Sequence, residues 1–219
     1  MPDVISFQLD RVNRILCLGA HSDDIEIGAG GTILTALAVR DDIQVHWIVF
    51  SAAGERADEA RRSAERFLHG CDDPMIELFE FQDGYFPYSG GRIKDQFEAL
   101  KDAPRPDLIL THHGEDRHQD HRIVSELTWN TFRDHLILEY EIPKYDAGLG
   151  SPNVLVELDE AILQRKIDIL MEVFSSQRSR RWFTDENFRA IARLRGLEAN
   201  TAAGFAEGFH CKKSRLVWV

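Results

Sequence analysis

Apolar positions along this chain fall into short continuous runs that alternate with longer amphipathic stretches. Residues 15–18, Ile-Leu-Cys-Leu, are one such run, the mark of a strand covered on both faces of a sheet. Beyond a cluster of glycines, residues 32–39 place Ile33, Leu34, Leu37 and Ala38 on one helical face, and the Asp41-Asp42 turn ends them. Residues 44–50 read as a second strand. Its end, Ser51-Ala-Ala-Gly-Glu-Arg56, leads into a helix over 56–69, where Ala57, Ala60, Ala64 and Phe67/Leu68 repeat at helical spacing before Gly70. A third strand is predicted over 76–81, with Gln82-Asp83-Gly84 as its turn. Ile93, Phe97 and Leu100 mark another helix ahead of Pro104 and Pro106, and 107–110 reads as a fourth strand.

The second half is less regular. A helix is expected over 121–132, a strand over 136–142, a glycine- and proline-rich loop over 143–153 and a strand over 154–158, and residues 140–146 are long and unpatterned enough to be a functional loop or lid. Helices follow over 160–174 and 186–195, with a terminal strand over 215–219. Strands alternating with helices at this spacing predict βαβ units. The expected fold is α/β, a Rossmann-like, mostly parallel sheet with helices on both faces, forming one domain over residues 1–219. In such a sheet the strand-end loops share one edge, where ligands bind.

Composition narrows the partners. With 37 acidic against 26 basic residues the formal net charge is −11, which opposes phosphate backbones and argues against nucleic-acid binding. A small-molecule substrate is expected instead. Cys17, Cys71 and Cys211 are odd in number and far apart, which indicates neither a disulfide framework nor a thiolate metal site and fits a reducing cytoplasm. The early acid in MPDVISFQLDR and the lack of any long apolar stretch argue against secretion and membrane spanning. Whether the chain forms a homo-oligomer is left open by its sequence.

The chemistry concentrates in two strand-end loops. His21, Asp23 and Asp24 follow the first strand directly, and three ionisable groups so placed demand a positive partner or water between them. A divalent cation satisfies them, whereas the plainer reading of any single carboxylate here is a cap for the next helix. The fourth strand leads into Thr-His-His-Gly-Glu-Asp-Arg-His-Gln-Asp-His-Arg, residues 111–122. One His-x-x-Asp and a distant histidine make a set of two imidazoles and a carboxylate, which leaves an open position on a catalytic zinc. His21 and Asp24 can turn to one side of a tight loop, which leaves Asp23 as the spare carboxylate to take a proton. His118 and His121 stand one helical turn apart, one for metal and the other for substrate. Asp120 either orients an imidazole or caps the helix. His112 and His113, at a strand end, read more naturally as structural or rim residues.

Together these segments resemble the PIG-L/LmbE-like family of zinc-dependent N-deacetylases acting on N-acetylglucosaminyl compounds. The family signature A-H-P-D-D-E followed by G-x-G-G is similar to Ala20-His21-Ser22-Asp23-Asp24 with Gly28-Ala29-Gly30-Gly31, and its H-P-D-H to His118-Gln119-Asp120-His121. Weaker likenesses are Gly54-Glu55 with Arg62-Ser-Ala-Glu65, and a tail of Ala192-Arg-Leu-Arg-Gly196 with Phe205-Ala-Glu-Gly-Phe209. The resemblance implies one zinc per chain, with Fe2+ or another divalent metal as the variant, on His21, Asp24 and His121. It also implies Asp23 as general base, a protonated His118 facing the oxyanion, and Asp120 supporting His118. Departures are Ser22 and Gln119 in place of prolines, and an acid displaced to Glu26.

The reaction so implied is hydrolysis of the acetamide of an amino-sugar substrate. Arg56, Asp83, Tyr85 and Tyr145 lie in loops expected near the carboxyl edge and are candidates to hydrogen-bond a sugar. An amidase taking a larger acyl group would use the same residues. A dinucleotide-binding module is disfavoured by the missing third glycine after Gly28-Ala-Gly30. A non-haem iron oxygenase shares the ligand set but usually not the βαβ pattern. A non-catalytic relative leaves the spare Asp23 without a role.

Overall fold

The computed structural model describes residues 8–215. Seven strands form one sheet in the order β3-β2-β1-β4-β5-β7-β6. The strands are β1 (Arg14–His21), β2 (Gln44–Ser51), β3 (Met75–Leu78), β4 (Leu108–His112), β5 (Leu136–Tyr140), β6 (Val154–Glu157) and β7 (Ala206–His210). The helices are α1 (Asp24–Val39), α2 (Glu55–Phe67), α3 (Gly90–Ala99), α4 (Gln119–Thr131), α5 (Glu160–Val173) and α6 (Asp185–Ala199). Strands β1 to β5 pair in parallel, and β7 lies antiparallel between β5 and β6. The expected mostly parallel α/β sheet is thus the one observed.

Side-chain alternation along β1 explains the layers. Ile15 and Cys17 join a core with α1, α2, α5 and α6, while Leu16, Leu18 and Ala20 join a second core with α3 and α4. Strand order reverses between β1 and β4, because β2 and β3 extend to one side and β5 to the other. The crevice beyond the carboxyl ends of two such strands is where open α/β sheets bind ligands. His21 ends β1 and His112 ends β4.

Two expectations change. The first helix begins at Asp24, not at 32, so the glycines lie inside it and every residue over 24–33 is buried. Glycine costs a helix about 0.5–1 kcal/mol per residue, yet a Cβ at Gly28 would stand 2.2 Å from the Tyr140 ring. Close packing therefore overrides propensity. The second change is the added strand β7; the expected strand over 215–219 falls almost wholly outside the described residues. The 143–153 loop is held at its flank by Arg195. Its guanidinium donates to both oxygens of Glu141 at 2.8 and 2.9 Å and to the Gly150 carbonyl at 3.1 Å. Among the described residues no helix is long and apolar enough to cross a membrane.

β7 also brings Glu207 beneath α1. Its carboxylate accepts the N–H groups of Gly31 and Thr32 at 2.7 Å, while Lys166 on α5 donates to the Ile27 carbonyl at 2.6 Å and to Glu207 at 2.7 Å. Removing one partner of such a buried pair strands the other charge, at a cost of about 3–5 kcal/mol. Glu207→Ala is accordingly expected to lower unfolding stability by that amount in denaturant titration, and Lys166→Met/Glu207→Leu together by clearly less.

Candidate active site

The apolar run of β1 ends at His21, and only Ser22 and Asp23 separate it from α1. This tight connection turns His21 and Asp24 together. His21 Nδ1 lies 3.3 Å from Asp24 Oδ2 and 3.2 Å from His121 Nε2, and His121 Nε2 lies 3.5 Å from Asp24 Oδ1. Ligands on a tetrahedral zinc at 2.0–2.1 Å stand about 3.3–3.4 Å apart. The two imidazoles thus approach different oxygens of Asp24, and His21 with His118 and His121, and Asp24 with His112 and His121, form groups whose donor atoms lie within 4.8 Å of one another and could hold a metal ion.

Each imidazole is fixed by a carboxylate on its other nitrogen. His121 Nδ1 meets Asp116 Oδ2 at 2.9 Å, and His21 Nε2 meets Asp120 Oδ2 at 3.2 Å and Asp83 Oδ1 at 3.1 Å. This turns both remaining lone pairs inward. Burial, then the neighbouring His112, push the His121 pKa down to about 3, so its ring is neutral and able to bind a cation. Burial opposes charge on His21 as well, but Asp24, Asp120 and Asp83 outweigh it and hold its pKa well above the usual value. For Asp24, burial would raise the pKa, yet His121, His112 and His21 hold it well below the carboxylate range.

Asp23 stands apart from this trio. Its Oδ1 accepts from Arg56 Nη2 at 3.0 Å, and burial raises its pKa in spite of that contact. His118 caps α4, and its Nδ1 accepts the Asp120 N–H at 3.3 Å, which leaves the proton on Nε2. Burial, followed by the charge of His21, lowers the His118 pKa. The Asp120 side chain differs from the expected support of His118. Its carboxylate reaches His21 and the N–H groups of Gly84 and Phe86, at 2.6 and 3.1 Å, because the first turn of α4 points it at β1 and the 84–86 loop. His118 receives only its backbone N–H.

Of the expected substrate contacts, Arg56 lies on Asp23 and Asp83 on His21. Tyr85 is exposed one residue beyond Gly84, and Tyr145 is exposed without a hydrogen bond to the cluster among the described residues. Glu26 does not join the site; it is fully buried in α1, where burial raises its pKa well above normal. His112 is closer than expected: buried, stacked on His121 at 3.9 Å, accepting the Ala20 N–H at 2.9 Å and 3.2 Å from Asp24 Oδ2. It packs directly against Asp24 and His121, with which it forms a group able to hold a metal ion. His113 turns away to stack on His210 at 3.8 Å. Sequence reasoning missed Asp116 and its partner Lys144. The only signal was an acid in the histidine-rich loop, and adjacent Glu115 carries the same one.

Residues 16–132 match the family profile of the GlcNAc-PI de-N-acetylases, PIG-L. The chain belongs to that family. Its activity is deacetylation of the PIG-L/LmbE type, hydrolysis of an amide bond. This PIG-L member is 28% identical over 144 residues to the "Uncharacterized deacetylase YaiS" of Escherichia coli (strain K12), covering 59% of this chain and 74% of that one. Its fold is similar to that of N,N'-diacetylchitobiose deacetylase from Pyrococcus horikoshii, with a TM-score of 0.70, 20% identity, and 94% and 87% of the two chains covered. It is equally similar to GalB, a 4-carboxy-2-hydroxymuconate hydratase from Pseudomonas putida KT2440, with a TM-score of 0.71, 17% identity, and 95% and 99% covered. Fold alone therefore does not choose the reaction, and the site must.

The β4–α4 loop of this PIG-L chain is anchored by Glu139 of β5, which takes His113 Nδ1 at 2.9 Å, the Gly114 N–H at 3.1 Å and Trp129 Nε1 at 2.6 Å. Burial would raise its pKa, but His113 and Lys212 lead the groups that bring it to about 2. A depressed carboxylate stabilises above its unfolded pKa of about 4.3 and loses that contribution as pH falls through the folded value. The stability gap between wild type and Glu139→Gln is thus expected to narrow from about pH 4.5 to about pH 2 in urea titrations. For Asp116→Ala, equilibrium dialysis against a zinc chelator is expected to show metal affinity reduced about 10–100-fold.

Proposed function

We propose that this protein removes the N-acetyl group from an N-acetylglucosamine-type sugar or sugar conjugate, as a single domain using one divalent ion held by His21, Asp24 and His121. The observation that carries this reading is the convergence of those three donors at 3.2–3.5 Å, beside a buried carboxylate, Asp23, kept out of the set. Two imidazoles and a carboxylate suit zinc, and Fe2+ accepts the same donors. When bound, such an ion lowers the pKa of water and polarises an acyl oxygen.

The protein's own groups do the rest. Asp23, oriented by Arg56, takes the proton from the attacking water, and its raised pKa makes it a stronger base for that transfer. His118 offers Nε2–H to the acyl oxygen as negative charge grows there, an interaction typically worth about 3 kcal/mol. Asp23 then passes the proton to the amine nitrogen, the C–N bond breaks, and acetate and a free amino sugar leave. Asp116 and Asp120 keep the two imidazoles aimed inward. The substrate class is supported by the family's description and by the chitobiose deacetylase of similar fold. The three free cysteines suit a reducing, cytoplasmic setting.

Elemental analysis and an acetate-release screen across N-acetylglucosamine conjugates test this. Asp23→Ala should keep its metal and lose at least about 100-fold in kcat, whereas His121→Ala should lose the metal as well. Full activity in Asp23→Ala would overturn the choice of base, and acetate from none of the conjugates would overturn the reaction.

A further inference from the structure

Lys144 is a charged side chain that the machinery above does not use. It leaves the chain just past β5, on the segment that Arg195 holds through Glu141, and its side chain is only 18% exposed. Ile142 before it is buried and Tyr145 after it is exposed, and the ammonium turns inward over the β4–α4 loop. There Nζ meets Asp116 Oδ2. The same oxygen meets His121 Nδ1 at 2.9 Å. A lysine therefore stands one carboxylate away from a metal-ligand candidate. Among the described residues, two of the three donor groups able to hold an ion contain that histidine.

Orienting the imidazole does not by itself call for a cation. Asp116 Oδ1 already accepts the His118 N–H at 2.7 Å, which fixes the carboxylate against His121. Asp120, which fixes His21, is gripped by two backbone N–H groups, and among the described residues no lysine or arginine touches it. Arg122 donates to the Asp116 carbonyl and not to its carboxylate. The ammonium of Lys144 is thus the added element, and Asp146, 3.9 Å away, is its weaker partner.

What it adds is charge. A carboxylate on the far nitrogen of a ligating imidazole makes that ring a stronger donor, and a cation on the same carboxylate oxygen takes part of that charge back. Less donated charge leaves a bound ion held less tightly and a stronger Lewis acid toward an acyl oxygen. We propose that Lys144 is a positioning residue that acts through Asp116, drawing charge away from His121 so that affinity for the ion is exchanged for electrophilic strength. The proposal rests on the metal reading above.

Zn2+ affinity, measured by competition with a chelating dye, tests it. Lys144→Met and the polar but uncharged Lys144→Gln are expected to bind Zn2+ about five-fold more tightly than wild type, a smaller change than the 10–100-fold typical of losing a supporting carboxylate outright. Lys144→Arg should restore the wild-type value. In an Asp116→Asn background, Lys144→Met should change affinity by less than about two-fold, because the path through the carboxylate is cut. With Zn2+ bound, kcat for acetate release should fall about five-fold in Lys144→Met and Lys144→Gln while KM stays near wild type. A lysine that only ties down the loop predicts the reverse for the ion, weaker binding in both neutral variants. Weaker or unchanged affinity in those variants, failure of arginine to restore it, an effect that persists beside Asp116→Asn, or tighter binding with kcat unmoved would each overturn the proposal. A wild type that binds no stoichiometric Zn2+ would overturn the metal reading and the proposal together. Tighter binding in the neutral variants, with acetate released from no conjugate, would overturn the reaction and leave the effect of Lys144 on the ion standing.

Discussion

One buried negative charge, the carboxylate of Asp24, organises the carboxyl edge of the sheet. It is almost inaccessible, and the rings of His21, His112 and His121 close around it at 3.2–3.5 Å. An isolated carboxylate in that position would be prohibitively costly, so the surroundings must be electropositive by construction. The position at the N-terminal turn of α1 contributes, because unpaired N–H groups make that end of a helix positive. The His21 N–H donates to it directly at 2.7 Å.

From that constraint follows the packing beneath it. α1 can present Asp24 between β1 and β4 only by lying close on the sheet, and Gly28 permits this against Tyr140. The Tyr140 hydroxyl donates to the Leu18 carbonyl at 2.7 Å and lies 3.2 Å from His112 Nε2. The same ring thus supports α1 from below and the histidine layer from the side. Glu207 and Lys166 satisfy backbone groups around the glycine stretch of α1, so the tail of the chain reinforces the helix that carries the site.

Two carboxylates play parallel parts above it. Asp116 fixes His121, and Asp120 fixes His21, each through the nitrogen facing away from the centre. Asp120 does a second thing, gripping Gly84 and Phe86. The orientation of a metal-ligand candidate and the position of the substrate rim are thereby joined through one side chain, and Arg56 links the opposite rim to Asp23 in the same way.

The local rules of the chain determined a good deal. Short apolar runs and helical patterning located β1 to β6 and α2 to α6 to within a few residues, because strands inside a covered sheet and helix faces against it are apolar. The motifs in the two strand-end loops named the residues that meet at the switch point, since parallel strands deliver their ends to one edge. Tertiary structure alone decided the rest. α1 starts eight residues early because Tyr140 rewards close approach, which helix propensity opposes. β7 was hidden because Ala-Glu-Gly-Phe-His has no alternation and its glutamate is paid back only by Lys166 and the α1 backbone. Asp116 and Glu115 look alike in sequence; one is buried against His121 and the other is exposed. Which imidazole Asp120 serves likewise depends on partners about a hundred residues away. Periodicity is a property of neighbours along the chain, whereas the direction of a buried carboxylate is set by whatever opposite charge the fold brings to it.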